Sequence, residues 1–354
     1  MKTLANMTLS FFFMVAPLLH TPNLLSQETE SDQTVTSGAT APVDAYGTTA
    51  YTLAPNLTGG GVIGPLKPTT VVKGASYATG GVALRNRNAG NIGVSGLVGA
   101  PRVTYLYWAV ITLTAPPAAV AALQIERLDP VPVSAVTVIK GVVVGTGPAP
   151  CWGPQGSIIT VFRGVVPAAV STGDGSYQIT IMPGGASLVN GADPWKAPNA
   201  RPLWEGASLV MIGQGTGTVS VFDMGLAGHT FAPNPNPFNY ILALPVVPSG
   251  KRMLLDNIGA DGQHPTTTSR DAALSISDEA TSINGVPVAG PGSDYVDSDW
   301  NGSSGLPLPE LWDDTGHDIT QVNPNGGNTL DVVIKSALAP ADCLTPVANI
   351  VEED

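Results

Sequence analysis

Short runs of β-branched and aromatic residues recur from residue 71 onward, and glycine, proline or asparagine cuts off each one. VTYLYWAVITLT (103–114) and SAVTVIKGVVVG (134–145) set the pattern, and SIITVFRGVV, GSYQITIM, GASLVMIG and TGTVSVFDMG continue it to residue 225. YILALPVV, KRMLLDNIG, NTLDVVIKSA and TPVANIV carry it onward. Such runs suit strands, whose side chains alternate between two faces. With 41 glycines and 32 prolines the chain leaves long helices little room. PAAVAALQIERL (117–128) is the stretch with fair helix propensity, and it is short. The expected fold is all-β, built as sandwiches or barrels.

At 354 residues two domains are expected. A duplication supports this. VIKGVVVGTGPAPCW (138–152), followed by ITVFRGVVPAAVSTGDGSYQITI (159–181), parallels SINGVPVAGPGSDY (282–295), followed by LWDDTGHDITQVNPNGGNTLDVVI (311–334). Each copy reads as a strand, an x-Gly turn, a strand and a variable loop, then a polar strand end, a Gly-rich turn and an alternating strand. FAPNPNPF (231–238) marks the break, because proline and asparagine exclude regular structure there. The expected layout is a signal peptide over 1–26, a linker or extended arm over 27–70, and β-sandwiches over 71–232 and 233–354.

Only 12% of the residues are charged, against about 25% in an average soluble domain. The surface must therefore be built largely from Thr, Ser, Asn and Gly, which suits an extracellular protein. The net charge of -12 repels phosphates and argues against nucleic acid as a partner. Lys2 and the apolar run 9–19 read as a secretory signal, too short for a comfortable membrane span. No transmembrane helix is expected in the mature chain. In an exported protein the two cysteines, Cys151 and Cys343, are expected to form a disulfide; two separate buried thiols are the alternative.

The stretch INGVPV (283–288) with HDITQVNPNGGNTLDVVI (317–334) resembles galactose-binding-like jelly-roll domains, in which an Asn-Gly hairpin precedes an Asp-Ile-Thr strand and a Gly-Asn turn. More widely, VALRNRNAGNIGVSGL, VTYLYW, CW, GSYQI, GASLVMI, ELWDD and ADCLTPVANIV are similar to a poorly characterised family of bacterial extracellular domains, over about 82–351. The resemblance implies a secreted jelly-roll-like β-sandwich associated with cell surfaces. It implies no catalytic residue or cofactor. The first copy has Arg163-Gly164-Val165-Val166 where the second has His317-Asp318-Ile319-Thr320, so a role of that carboxylate is confined to the second.

Catalytic signals are sparse. His229, His264 and His317 are scattered without a zinc-binding spacing, and no Gly-x-Ser-x-Gly elbow occurs. Glu205 beside Trp204 and Glu310 near Trp312 are the best pair for glycoside hydrolysis, which needs two carboxyls across a sugar. Loop tryptophans could stack on a pyranose, and Trp195, Trp300 and Trp312 are the candidates; core packing is the alternative for each. In DSDWNG, Asp297, Asp299 and Asn301 alternate before Gly302, and Asp294, Glu310 or Asp313 could close a calcium shell. The twelfth position holds Leu308, so this is no EF-hand. An Asx-rich turn bonding its own backbone accounts for the same spacing and is the simpler reading.

The chain therefore reads as two tandem jelly-roll-like β-sandwiches, secreted and non-enzymatic, serving surface association or glycan binding. Surface glycans or another extracellular protein are the expected partners. An exported carbohydrate-active enzyme is one alternative. A structural subunit whose arm adds a strand to a neighbour's sheet edge is another.

Overall fold

The computed structural model describes residues 62–113, 115–129, 135–149, 157–186, 188–192, 200–224, 229–230, 238–245, 252–260, 279–289, 300, 311–322, 327–336 and 343–354. Strands dominate, and the helical element among these residues is a single 3₁₀ turn, Ala118–Val120. The expected signal peptide and most of the expected linker lie outside the described residues. So does FAPNPNPF apart from Phe238.

Two jelly rolls follow one another. The first uses β2 (Thr70–Ala83), β3 (Ala89–Val94), β4 (Val103–Thr112), β5 (Ala122–Arg127), β6 (Thr137–Pro148), β7 (Ile158–Val165), β8 (Gly175–Ile181) and the first part of β9 (Leu203–Asp223). Its inner sheet runs β2-β9-β4-β7 and its outer sheet β3-β8-β5-β6. The second uses the remainder of β9, then β11 (Phe238–Ala243), β12 (Met253–Ala260), β13 (Glu279–Ile283), β14 (Val286–Ala289), β15 (Trp312–Asp318), β16 (Thr329–Ser336) and β17 (Cys343–Glu353). Its inner sheet runs β9-β17-β12-β15 and its outer sheet β11-β16-β13-β14. Taken in chain order, the strands occupy the same places in both rolls, first-eighth-third-sixth and second-seventh-fourth-fifth, which is the jelly-roll arrangement. A two-residue strand, β10 (His229–Thr230), adds to β17.

The duplicated motifs map onto equivalent strands in two places of three. ITVFRGVV is β7 and LWDDTGHD is β15, each the sixth strand of its roll; GSYQITI is β8 and TLDVVI is β16, each the seventh. The x-Gly motif is displaced by one strand. Asn284 (φ 49°) and Gly285 (φ 79°) form a tight turn joining β13 to β14, with both residues left-handed as a type I′ hairpin demands. Lys140-Gly141 instead lies inside β6, where Gly141 is needed because a Cβ would sit 2.5 Å from the Trp108 ring. PAAVAALQIERL is not a helix. Leu123, Ile125 and Arg127 are buried in alternation on β5, so strand pairing with β6 and β8 overrides the helix propensity of its alanines.

Alternation fills the interior. On β4, Leu106, Trp108 and Val110 face the core of the first roll, with Phe162, Tyr177, Ile179 and Leu209. The opposite face, Tyr107, Ala109 and Ile111, joins Ile159 and Ile212 in a second cluster that also contains Ile258, Trp312 and Ile350 of the second roll. That cluster is a seam between the two inner sheets. The second roll has its own core around Phe222, Leu255, Trp300, Val332 and Val351. Outer sheet, inner sheet, inner sheet and outer sheet thus enclose three apolar layers, and both inner sheets are covered on both faces.

The two rolls do not meet at 232/233. They hand over inside β9, where residues 213–216 bulge out: β2 pairs Ala75 with Gly217 on one side of the bulge and Tyr77 with Ile212 on the other. β2 and β9 therefore pass from one inner sheet to the other as a bent ribbon. Gly215 lies so close to β2 that a Cβ would be 2.4 Å from the Ala75 carbonyl carbon. Arg102 donates to the Lys73 and Gly74 carbonyls at 2.8 and 3.1 Å, and Ser76 to the Gln214 carbonyl at 2.6 Å, fixing the corner. Residues Tyr51–Asp354 accordingly form one compact unit. The end of the expected linker is also a strand, since β1 (Val62–Leu66) pairs in parallel with β11 of the second roll. No helix among the described residues is long and apolar enough to cross a membrane.

Gly206 on β9 leaves room for Trp312 across the seam; a Cβ there would lie 2.4 Å from the indole Cγ and 2.6 Å from the Val82 carbonyl oxygen. Gly206→Ala is expected to lower stability by about 1–3 kcal/mol in urea unfolding. Gly93→Ala, where a Cβ meets nothing within 4 Å, should leave the midpoint close to wild type.

Candidate functional site

The tryptophans singled out from sequence divide. Trp300 is 2% exposed and packs on Gly259 in the core of the second roll, its indole N–H donating to the Thr281 hydroxyl at 3.3 Å. Trp312 is 0% exposed and lies in the seam, donating to the Ser208 hydroxyl at 2.9 Å. Neither ring offers a face to an external sugar, which corrects the stacking role expected of both. Their spacing could not reveal this, because the partner glycines Gly259 and Gly206 are distant in sequence. Trp195 lies outside the described residues, as do Asp297, Asp299, Asn301 and Glu310 of the calcium expectation. Cys151 does too, so the expected disulfide falls outside the described residues; the backbone of Cys343 opens β17.

Glu205 is an internal group. Arg85 donates to its Oε1 at 2.5 Å and to the Trp204 carbonyl at 3.2 Å, and the two side chains are 0% and 1% exposed. Burial raises the Glu205 carboxyl above the ordinary carboxylate range while Arg85 opposes the rise. The pair ties the end of β2 to β9, where the Leu84 amide also donates to the Glu205 carbonyl at 3.0 Å. With its carboxylate committed to Arg85, Glu205 serves as a structural tie.

An open groove of about 740 Å³ lies at the side of the second roll between β14 and β15. Among the described residues the two rolls differ in one strand on this side. In the first, β6 continues past β5 to pair with β7 from Gly141 to Pro148, closing that side. In the second, the equivalent β14 is four residues long, and the described pairings join it to β13 and join β15 to β12. Pro287 and Val288 form an apolar wall. Arg252, His317, Asp318 and Gln321 supply polar groups opposite.

The polar wall is braced from behind. The Thr320 hydroxyl accepts from the Met253 amide at 2.9 Å, and the Thr320 amide donates to Asp318 Oδ1 at 3.0 Å. Hydrogen bonding by the Thr320 hydroxyl, and then by its amide, holds the Asp318 carboxyl below its ordinary range, so it stays ionised at neutral pH. The groove thus combines a cation, an amide and a carboxylate with an apolar surface, a set that can bind hydroxyl groups in defined orientations. The HDIT motif announced this wall in sequence. Gln321 and the β14 wall lie in the same quoted stretches, whereas Arg252 carried no such signal, and only the fold brings them all together.

Glu353 stands apart. It is buried near the end of β17, neither carboxyl oxygen has a hydrogen-bond partner, and burial pushes its carboxyl up to about 7. A carboxyl raised in the folded state stabilises below its ordinary value, and that contribution is lost as pH rises through the folded value. Thermal stability is expected to decline between about pH 5 and pH 8 through this group. Glu353→Gln should reduce that slope in a pH series of melting curves. For the buried ion pair, Arg85→Met is expected to cost about 3–5 kcal/mol by stranding Glu205, and Arg85→Met/Glu205→Leu to recover much of it in urea titrations.

No family model matches the chain, and no curated protein matches it.

Proposed function

We propose that the protein is an exported, non-enzymatic β-sandwich module that associates with cell surfaces by holding a glycan in the groove of the second roll. The supporting observation is the composition of that groove: Arg252, Asp318 and Gln321 facing Pro287 and Val288 across an open cleft. Sugars present closely spaced hydroxyls on a weakly apolar ring, and this lining offers donors, an ionised acceptor and an apolar contact together. The signal-like N-terminus and the weakly charged composition support export. The sequence resemblance to bacterial extracellular jelly-roll domains points the same way.

A second reading is supported by β1. This strand at the end of the expected arm lies against β11 at the edge of an outer sheet, so strand addition by this part of the chain already occurs within the molecule. A structural subunit would extend the same habit to a neighbouring copy.

A glycan array followed by calorimetry tests the first reading. Arg252→Ala and Gln321→Ala should each weaken binding of the selected glycan about tenfold or more, with melting temperature unchanged. Binding equally strong in both variants, or no glycan bound by the intact protein, would set the groove aside. Assembly that depends on concentration and on the arm would then favour the structural subunit.

A further inference from the structure

The LRNRN turn (84–88) after β2 carries two arginines with different surroundings. Arg85 points inward and is committed to Glu205. Asn86 then adopts a left-handed conformation (φ 56°), which asparagine tolerates better than most residues, and the chain reverses. The Arg87 amide closes the turn by donating to the Leu84 carbonyl at 3.1 Å, and its side chain emerges half-buried.

Residues 188–192 dock on this turn. The Gly191 amide donates to the Asn86 carbonyl at 2.8 Å, and the Asn86 side-chain amide donates to the Ala192 carbonyl at 3.0 Å. Asn190 Oδ1 accepts from the Ala192 amide at 3.0 Å, which braces the loop. Gly191 lies against the Arg87 head: a Cβ there would be 3.8 Å from Nη2 and 3.9 Å from Cζ. The guanidinium therefore rests on a hydrogen-bonded loop.

No group of the described residues answers this cation. Their ion pairs join Arg85 to Glu205 and Arg163 to Asp223, and Arg87 Nε is buried without a hydrogen-bond partner. Of its nitrogens only Nε is buried in this way, so the terminal pair faces outward. A partly buried charge with an unmet donor is costly unless a ligand brings an acceptor to the same head. Glu205, the carboxylate placed at this corner, is already engaged by Arg85. Arg201, just ahead of β9, adds to the positive side: burial and then the Arg85 charge hold its guanidinium below the ordinary range.

Two terminal guanidinium nitrogens match the two oxygens of a carboxylate in parallel, charge-assisted hydrogen bonds. Asn88 and Asn190, the chain neighbours of Arg87 and Gly191, are exposed, and their amides can meet hydroxyls. Val189 is 54% exposed and offers an apolar contact. This combination suits a ring that bears hydroxyls and one carboxylate. A dense polyanion is disfavoured by the net charge of -12.

We propose that the Arg87 turn of the first roll is a second carbohydrate site, which takes the carboxylate of an acidic sugar of the uronic acid class. The proposal rests on the reading of the protein as a glycan-binding module, and not on the groove of the second roll. Arg87 clamps the carboxylate end-on, and the flanking asparagine amides meet the neighbouring hydroxyls.

Calorimetry of the full chain with oligomers of galacturonate, glucuronate and mannuronate, their methyl esters and inorganic phosphate tests it. At least one uronate should bind about tenfold or more tightly than its ester or phosphate. Arg87→Gln should bring that uronate down to the level of the ester with melting temperature unchanged. Arg87→Lys should recover only part of the loss, because a point charge lacks the planar fork. Arg252→Ala, in the groove, should leave uronate affinity within about twofold, so the two sites fail separately. No uronate bound, an ester or phosphate bound as tightly, or unchanged affinity in Arg87→Gln overturns the site. So does loss of uronate binding in Arg252→Ala, which would assign the carboxylate to the groove.

Discussion

Everything in this architecture depends on the burial of both faces of the inner sheets. A strand with one wet face can place polar residues at alternate positions; β4 cannot, and Leu106 through Ile111 are buried without a gap. Each such strand contributes to two apolar layers. Burial of apolar area contributes about 25 cal/mol per Å², so a doubly covered strand is a large stabilising element for its length. It also obliges the few polar groups inside to find partners. Arg85 with Glu205, and Arg163 with Asp223, are two of the solutions adopted.

Much of the fold was legible in the residues. Alternating runs separated by glycine and proline identified strands, and the repeated polar strand end and Gly-rich turn identified equivalent parts of two rolls. The failures have local causes. Lys140-Gly141 and Asn284-Gly285 look alike in sequence, but in one the glycine admits a tryptophan ring and in the other it permits a left-handed turn. Residues 117–128 looked helical because alanine dominates their propensity, whereas Leu123 and Ile125 were decided by the core they enter. The hand-over between rolls was placed at the proline-rich 231–238. It lies instead at the inconspicuous GQGT, where an extended strand changes sheets.

The candidate site was less legible, for a physical reason. Sequence marks residue types, and the chemistry here is set by which edges are left uncovered. Tryptophan beside aspartate and asparagine suggested exposure, yet Trp300 and Trp312 fill space above glycines on other strands. Among the described residues the groove borders β14, which is shorter than β6, and that difference has no motif of its own. His317, Asp318, Gln321 and the β14 residues lay within the repeat, but nothing there marked them as lining one cleft.

The bent ribbon of β2 and β9 has a consequence for how this protein can be taken apart. Each of these strands serves two sheets, so no single cut separates two whole rolls. Cleaving the chain at the proline-rich segment would leave the second piece without its first strand and its seam partner. Cleaving at the bulge would divide β9 but leave β2 still stitched to both products. The double roll thus behaves as one indivisible folding object that happens to have been written twice, and its halves could have diverged in surface while remaining bound to a common spine.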